Sequence, residues 1–241
     1  MIDGIVQSCV KAGVYCILDW HVHHPGDPNY YLEDAKAFFS KMAKKYSGIP
    51  NVLYEIANEP NKTGLPGKVE GRQVTWKDIT AYAEEVIPII RTRAPRSLVM
   101  VGTPDWSSFG QSGGQDWREV VDNPLPFKNT VYVVHFYAAG HGFYRQIDQA
   151  AETLPLFATE WAASNWKTDS KIDLEKSRPW LEMIQRRNIG WTYWTLSAGN
   201  SVFDLFDATT TAEGPFSPDG ENVTETGRLV YSLLNKPKDR W

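Results

Sequence analysis

Cysteine is nearly absent, with only Cys9 and Cys16 in 241 residues. Two thiols cannot build a disulfide framework. Both sit in apolar stretches and read as small buried hydrophobes, which leaves the redox compartment open. Neither sign of charge is in excess: 25 Lys and Arg stand against 29 Asp and Glu, for a net charge of −4. That balance argues against nucleic acid or an anionic membrane, which need a basic patch, and favours a neutral partner. No apolar run reaches the length of a membrane span. The start, Met1-Ile2-Asp3-Gly4, lacks a basic segment followed by an apolar one, so no signal peptide is expected in this chain. No strand-like run is followed by a glycine-rich phosphate loop, which argues against a doubly wound nucleotide binder.

Aromatic side chains are abundant. They make up 13% of the residues and include ten Trp, which suggests flat surfaces for stacking as well as core. Strand-like runs rich in Val, Ile, Leu, Tyr and Trp are expected at 14–21, 52–59, 97–103, 130–137, 154–160 and 189–197. Several are nearly continuous in apolar residues, as parallel strands covered on both faces are. Helices are expected between them. Residues 32–46 carry Leu32, Ala35, Phe38, Phe39, Met42 and Ala43 on one face. Residues 76–93 are a second helix, in which Pro88 predicts a kink or an early stop. Shorter helices are expected at 116–121 and 143–153, and further ones at 174–187 and 224–234. Strict strand-then-helix order points to one parallel α/β domain over 1–241, without linker or repeat.

Successive runs end in polar or aromatic side chains: His21, Asn58 with Glu59, Trp106 just past its strand, His135 with Tyr137, Glu160 and Trp194. Many strands contributing to one rim is the mark of an α/β barrel, whose chemistry sits at the carboxyl ends of its strands. Two of the side chains are carboxylates. Glu59 ends Ile56-Ala57-Asn58-Glu59-Pro60, and Glu160 ends Phe157-Ala158-Thr159-Glu160. A pair of carboxylates in one cleft is the minimum set for cleaving a glycosidic bond, one as acid/base and one as nucleophile. Taken singly, Glu59 could instead cap a following turn and Glu160 could be a salt-bridged structural residue.

His135 and Tyr137, two apart on a strand, point the same way. The tyrosine can hold a carboxylate nucleophile in place, and the histidine can bridge to the acid or to sugar hydroxyls. Trp194 could floor a sugar subsite or simply pack the barrel. His21, His23 and His24 suggest a different chemistry, because His-x-His at a strand end is a metal-ligand spacing that His135 and His141 could complete. That reading leaves both strand-end glutamates without a role. Neither cysteine closes a strand, so a thiol nucleophile finds no support.

Together, Leu18-Asp19-Trp20-His21, Ile56-Ala57-Asn58-Glu59-Pro60, Val134-His135-Phe136-Tyr137, Ala158-Thr159-Glu160-Trp161 and Trp194-Thr195-Leu196-Ser197 resemble glycoside hydrolase family 5, and most closely its bacterial-type endo-1,4-β-glucanases. The likeness runs from about residue 1 to 235. It implies an α/β fold of the (β/α)8 TIM-barrel type, retaining hydrolysis of β-1,4-glucan, and neither metal nor organic cofactor. Carried over by position, it makes Glu59 the acid/base and Glu160 the nucleophile. Asn58, His21, His135, Tyr137 and Trp194 become the supporting shell, and Trp106 an aromatic on the leaving-group side.

Six βα units are recognisable, corresponding to units 3–8 of the family's barrel, so the barrel is expected to be incomplete. No residue aligns with the family's second-strand Arg or its first substrate-stacking aromatic. An uncovered side exposes strand edges and predicts self-association. The expected partner is a β-glucan polysaccharide or oligosaccharide, with neither nucleic acid nor membrane, and the expected location is extracellular because the substrate is polymeric. A β-1,4-mannanase and a weakly catalytic glycan-binding form are the rival readings.

Overall fold

The computed structural model describes residues 1–65, 71–214, 217 and 219–235. Contacts divide the chain into two compact units, Met1–Val134 with Thr153–Phe157, and His135–Glu152 with Ala158 onward.

The first unit opens with helix α1 (Ile2–Ala12), which ends at Gly13 in the left-handed conformation (φ 70°). Such a reversal suits glycine because it has no Cβ to clash. Strand β1 (Cys16–Asp19) follows, then α2 (Leu32–Lys45), β2 (Val52–Glu55), α3 (Trp76–Arg91) and β3 (Val99–Gly102). After β3 come the single turn α4 (Pro104–Ser107), the short α5 (Arg118–Asp122), and β4 (Thr130–Tyr137), which leads into the second unit.

The strands pair in parallel with matched register. Leu18 lies beside Tyr54, Tyr54 beside Val99, and Val101 beside Tyr132. Among the described residues β1 pairs with β2 on one side only, so it is an edge. Around it Ile5, Val14 and Tyr15 are exposed.

Both strand faces are covered, as continuous apolar runs require. On one face Leu53, Met100, Val131 and Val133 pack together with Ile17 and Phe157. The other face meets the helices. Ala35, Phe39, Met42 and Ala43 of α2 are buried, as are Ile79, Tyr82, Val86, Ile87 and Ile90 of α3. Phe39 meets Tyr54 edge-on at 6.3 Å. Helix α3 runs through Pro88 to Arg91 without breaking. Pro88 lies in its last turn, and its carbonyl accepts from the Thr92 N–H and hydroxyl. The start of α3 is a reciprocal cap in which Thr75 and Asp78 each accept the other's backbone N–H.

The second unit takes up the end of β4. It continues with α6 (Tyr144–Ala150), β5 (Leu156–Ala162, whose first residues belong to the first unit), α7 (Leu174–Arg186), β6 (Gly190–Trp191) and α8 (Glu225–Leu234). A two-stranded parallel ribbon, β7 (Ala198–Gly199) with β8 (Phe206–Asp207), precedes α8. The core of this unit is aromatic. Phe136 stacks on Trp180 at 4.0 Å and on Trp161 at 5.6 Å.

Five of the six strands differ in extent from the sequence expectation; β1 stops at Asp19, so that His21 lies two residues past it, and β3 is shorter at both ends. β2 ends at Glu55, four residues before Glu59; the ladder persists one residue further through Ile56 N–H to Met100 O, and then the chain turns away. β6 ends at Trp191 where a run to 197 is expected, although Thr192 and Trp194 still donate to Ala158 and Trp161. β5 runs to Ala162, so Glu160 lies inside the strand and not at its last residue.

Candidate active site

In the first unit the candidate residues hang on the segment that leaves β2. Asn58 and Glu59 are both buried, and their backbone is held from three directions. Ser107 Oγ donates to Asn58 O at 2.5 Å, Asn61 Nδ2 donates to Glu59 O at 2.8 Å, and Trp106 N–H donates to Pro60 O at 2.9 Å. Upstream, Tyr82 of α3 donates its hydroxyl to Ile56 O at 2.7 Å, and burial drives that phenol far above its ordinary pKa, so it remains a donor. Asn61 also donates to His23 O at 3.2 Å, which ties the loop after β1 to the Glu59 segment. Gly26 fits against Asn61, since a Cβ there would come within 2.2 Å of its side chain. Asn61 begins a glycosylation sequon, but its buried amide is committed to these backbone contacts.

His21 Nδ1 bonds to Asp19 Oδ2 at 2.7 Å, and its Nε2 lies 3.5 Å from Asn58 Nδ2. His23 Nε2 lies 3.3 Å from Glu59 Oε2, with the His21 and His23 rings stacked at 5.3 Å. The sequence assigned His23 only to a metal set; its proximity to Glu59 depends on how the loop folds. The wall beside Glu59 is formed by Trp20, Pro25, Tyr31 and Pro60.

Trp106 sits on an unusual backbone. Asp105, Trp106, Ser107 and Phe109 all have φ between 55° and 58°, a left-handed turn that costs non-glycine residues about 1–2 kcal/mol each. The turn presents Trp106 to solvent while Asp105 and Ser107 are fully buried. Burial raises the Asp105 carboxyl above its ordinary range. Gly110-Gln111-Ser112-Gly113-Gly114 spells GxSxG, but it follows this turn as a loop and not as the strand-to-helix elbow a serine nucleophile needs.

In the second unit the candidates gather on β4 and β5. Tyr137 donates its hydroxyl to Glu160 Oε1 at 2.5 Å, and His135 Nδ1 lies 3.9 Å from Oε2 of the same carboxylate. His135 Nε2 pairs with Thr159 Oγ1 at 2.9 Å, which sets the plane of the ring. Glu160 is buried, with 6% of its surface exposed. Tyr137 N–H donates to His141 Nδ1 at 3.0 Å, which fixes that ring nitrogen as an acceptor. Trp194 is half-buried, its N–H on Trp161 O at 3.0 Å and its peptide bond to Thr195 cis. The structure therefore brings Tyr137, His135 and Glu160 together in one unit, and His21, Asn58 and Glu59 together in the other.

All of these residues lie within the stretch that matches a family model. Residues 1–200 match the model for cellulase (glycosyl hydrolase family 5). The chain is 38% identical over 233 residues to endoglucanase E-5 of Thermobifida fusca, covering 95% of this chain and 47% of that one. It is 37% identical over 243 residues to endoglucanase CelA of Streptomyces lividans, covering 99% and 49%. Among solved structures it is similar to the catalytic domain of the Thermobifida fusca endoglucanase, with a TM-score of 0.89, 38% identity, and coverage of 98% of this chain and 74% of that one. A Glu-to-Gln variant of the same domain in complex with cellotetraose matches at a TM-score of 0.89 and 37% identity. The chain spans about half the length of the curated relatives it matches. It belongs to glycoside hydrolase family 5, and its fold is of the incomplete (β/α)8 barrel type, with six βα units among the described residues.

Proposed function

We propose that this member of glycoside hydrolase family 5 is a retaining endo-β-1,4-glucanase that acts outside the cell on cellulose or a related β-glucan. The observation that carries the reading is the hold on Glu160: the Tyr137 hydroxyl fixes one carboxylate oxygen at 2.5 Å while His135 stands beside the other. A nucleophilic carboxylate needs such orientation, because it must meet the anomeric carbon in line with the departing oxygen.

In the first step Glu160 attacks the anomeric carbon. The bond to the leaving oxygen breaks as Glu59 gives that oxygen a proton, and a glycosyl ester forms on Glu160. In the second step Glu59 takes a proton from water, the water oxygen replaces the ester, and Glu160 is released as a carboxylate with the anomeric configuration retained. This scheme requires the two carboxyls about 5 Å apart. Asn58 would bind a hydroxyl of the sugar under attack, His21 would hold Asn58, and Trp194 would stack beneath that sugar. Trp106 would take a sugar on the leaving-group side.

The test is release of reducing ends from carboxymethyl-cellulose, with mannan in parallel and Glu160→Gln as the blank. Activity on the glucan that vanishes in the variant supports the reading. A preference for mannan would make the chain a mannanase, and a folded chain with no release from either would sink the assignment.

A further inference from the structure

One exposed tryptophan has no place in the two-carboxylate scheme. Trp166 lies in the loop after β5, four residues past the strand that carries Glu160, with 57% of its surface exposed. Its indole is nonetheless fixed. One side stacks on the His141 ring at 5.4 Å between centroids and 24° between planes. Gly140 leaves the room, since a Cβ there would come within 2.4 Å of Trp166 Cζ3. His141 is itself immobile: its Nδ1 accepts from Tyr137 N–H, its N–H donates to Tyr137 O at 2.9 Å, and its carbonyl accepts from Trp180 Nε1 at 3.0 Å. Asn165 Oδ1 caps Lys167 N–H at 2.7 Å and turns the loop that carries the indole. A chain of contacts thus runs from Glu160 through Tyr137 and His141, whose rings lie 6.2 Å apart, to Trp166.

A large apolar ring held on one face and open on the other is the arrangement that a sugar recognises. The axial C–H groups of a β-linked pyranose make a flat apolar surface, and an immobilised indole meets it with little entropic cost. Its position, displaced from Glu160 by two intervening rings, suits a sugar outside the bond being cleaved. We infer that Trp166, backed by His141 and Gly140, is a stacking platform for a distal unit of the β-glucan chain, and so gives preference to longer oligosaccharides. The inference rests on the glucanase reading and extends it.

The experiment uses the 241-residue chain carrying Glu160→Gln, so that ligands survive. Cellotriose and cellohexaose are titrated calorimetrically into this protein, with and without Trp166→Ala, and into a Trp166→Phe version. The ratio of hexaose to triose affinity should fall about five- to tenfold with Ala and recover with Phe, the scale of one lost aromatic contact. An unchanged ratio would overturn the inference while leaving the glucanase reading intact. So would equal weakening of both ligands together with loss of the near-ultraviolet dichroism, which would make Trp166 a packing residue. If the Glu160→Gln protein is folded and binds neither sugar, the glucan reading itself fails and the platform fails with it.

Discussion

Tyr137 and Glu160, on adjacent strands of one unit, share a hydrogen bond of 2.5 Å in which the phenol donates to the carboxylate. A hydrogen bond to a charged acceptor contributes about 1.5–3 kcal/mol, and in the proposed mechanism this one would also orient the oxygens for attack. Tyr137→Phe should therefore lower kcat/KM on soluble β-glucan about 10- to 100-fold while leaving the melting temperature within a few degrees. Steady-state kinetics beside a thermal melt check this. Unchanged kcat/KM would mean that the hydrogen bond has no part in catalysis.

His23, itself about half exposed, stands 3.3 Å from the buried Glu59 carboxylate. Replacing it with Ala removes one polar partner and leaves the loop anchored by Asn61. The expected loss in kcat is about fivefold, the scale of one hydrogen bond, with a smaller change in KM. Separate measurement of kcat and KM distinguishes this from weakened substrate binding.

Gly102 ends β3 against the segment that carries Asn58 and Glu59, and a Cβ on it would stand 2.2 Å from Ala57 O. A backbone carbonyl cannot rotate aside as a side chain can. Gly102→Ala should cost about 1–3 kcal/mol by overpacking and should depress activity by displacing Asn58 and Glu59. Urea unfolding and an activity assay on the same preparation test both parts.

The cap at the start of α3 predicts a pH dependence. The Arg72 guanidinium, chelating Asp78 at 2.6 and 2.8 Å, together with the Thr75 cap, pulls the Asp78 carboxyl down to about 2 against an ordinary value of 3.8. A lowered folded-state pKa means that its contribution to stability is complete above the ordinary value and is lost as pH falls from about 4 through about 2. Asp78→Asn should cost about 1 kcal/mol at neutral pH, and the gap to the parent protein should close over that acid window. Urea midpoints at several pH values measure it.

The alternation of strands and helices was legible because each element carries its own period, and tertiary packing then agreed with it. Phe39, Met42 and Ala43 are buried where a helical face places them. His135 and Tyr137 could be grouped because strand alternation puts residues two apart on one side, and Glu160 stood out as the carboxylate at the end of its own run. Contacts made by loops were not legible. The approach of His23 to Glu59, the left-handed turn at 105–109 and the stacking of Trp166 on His141 each depend on where a loop returns, and no local period encodes that. The short extent of β6 has a similar origin. Residues 192–197 are as aromatic as a strand, but only Thr192 and Trp194 keep backbone bonds to β5.

The proposed mechanism requires that Glu160 become covalently glycosylated during the reaction. Incubating the chain with a cellobioside that carries fluorine at C2 and a good leaving group slows release of the ester, and intact-mass spectrometry with peptide mapping then reads the adduct. One glycosyl adduct per chain is expected, located on Glu160 and absent from Glu160→Gln. An adduct on a different residue, or turnover of the reagent with inverted product and no adduct, would contradict it.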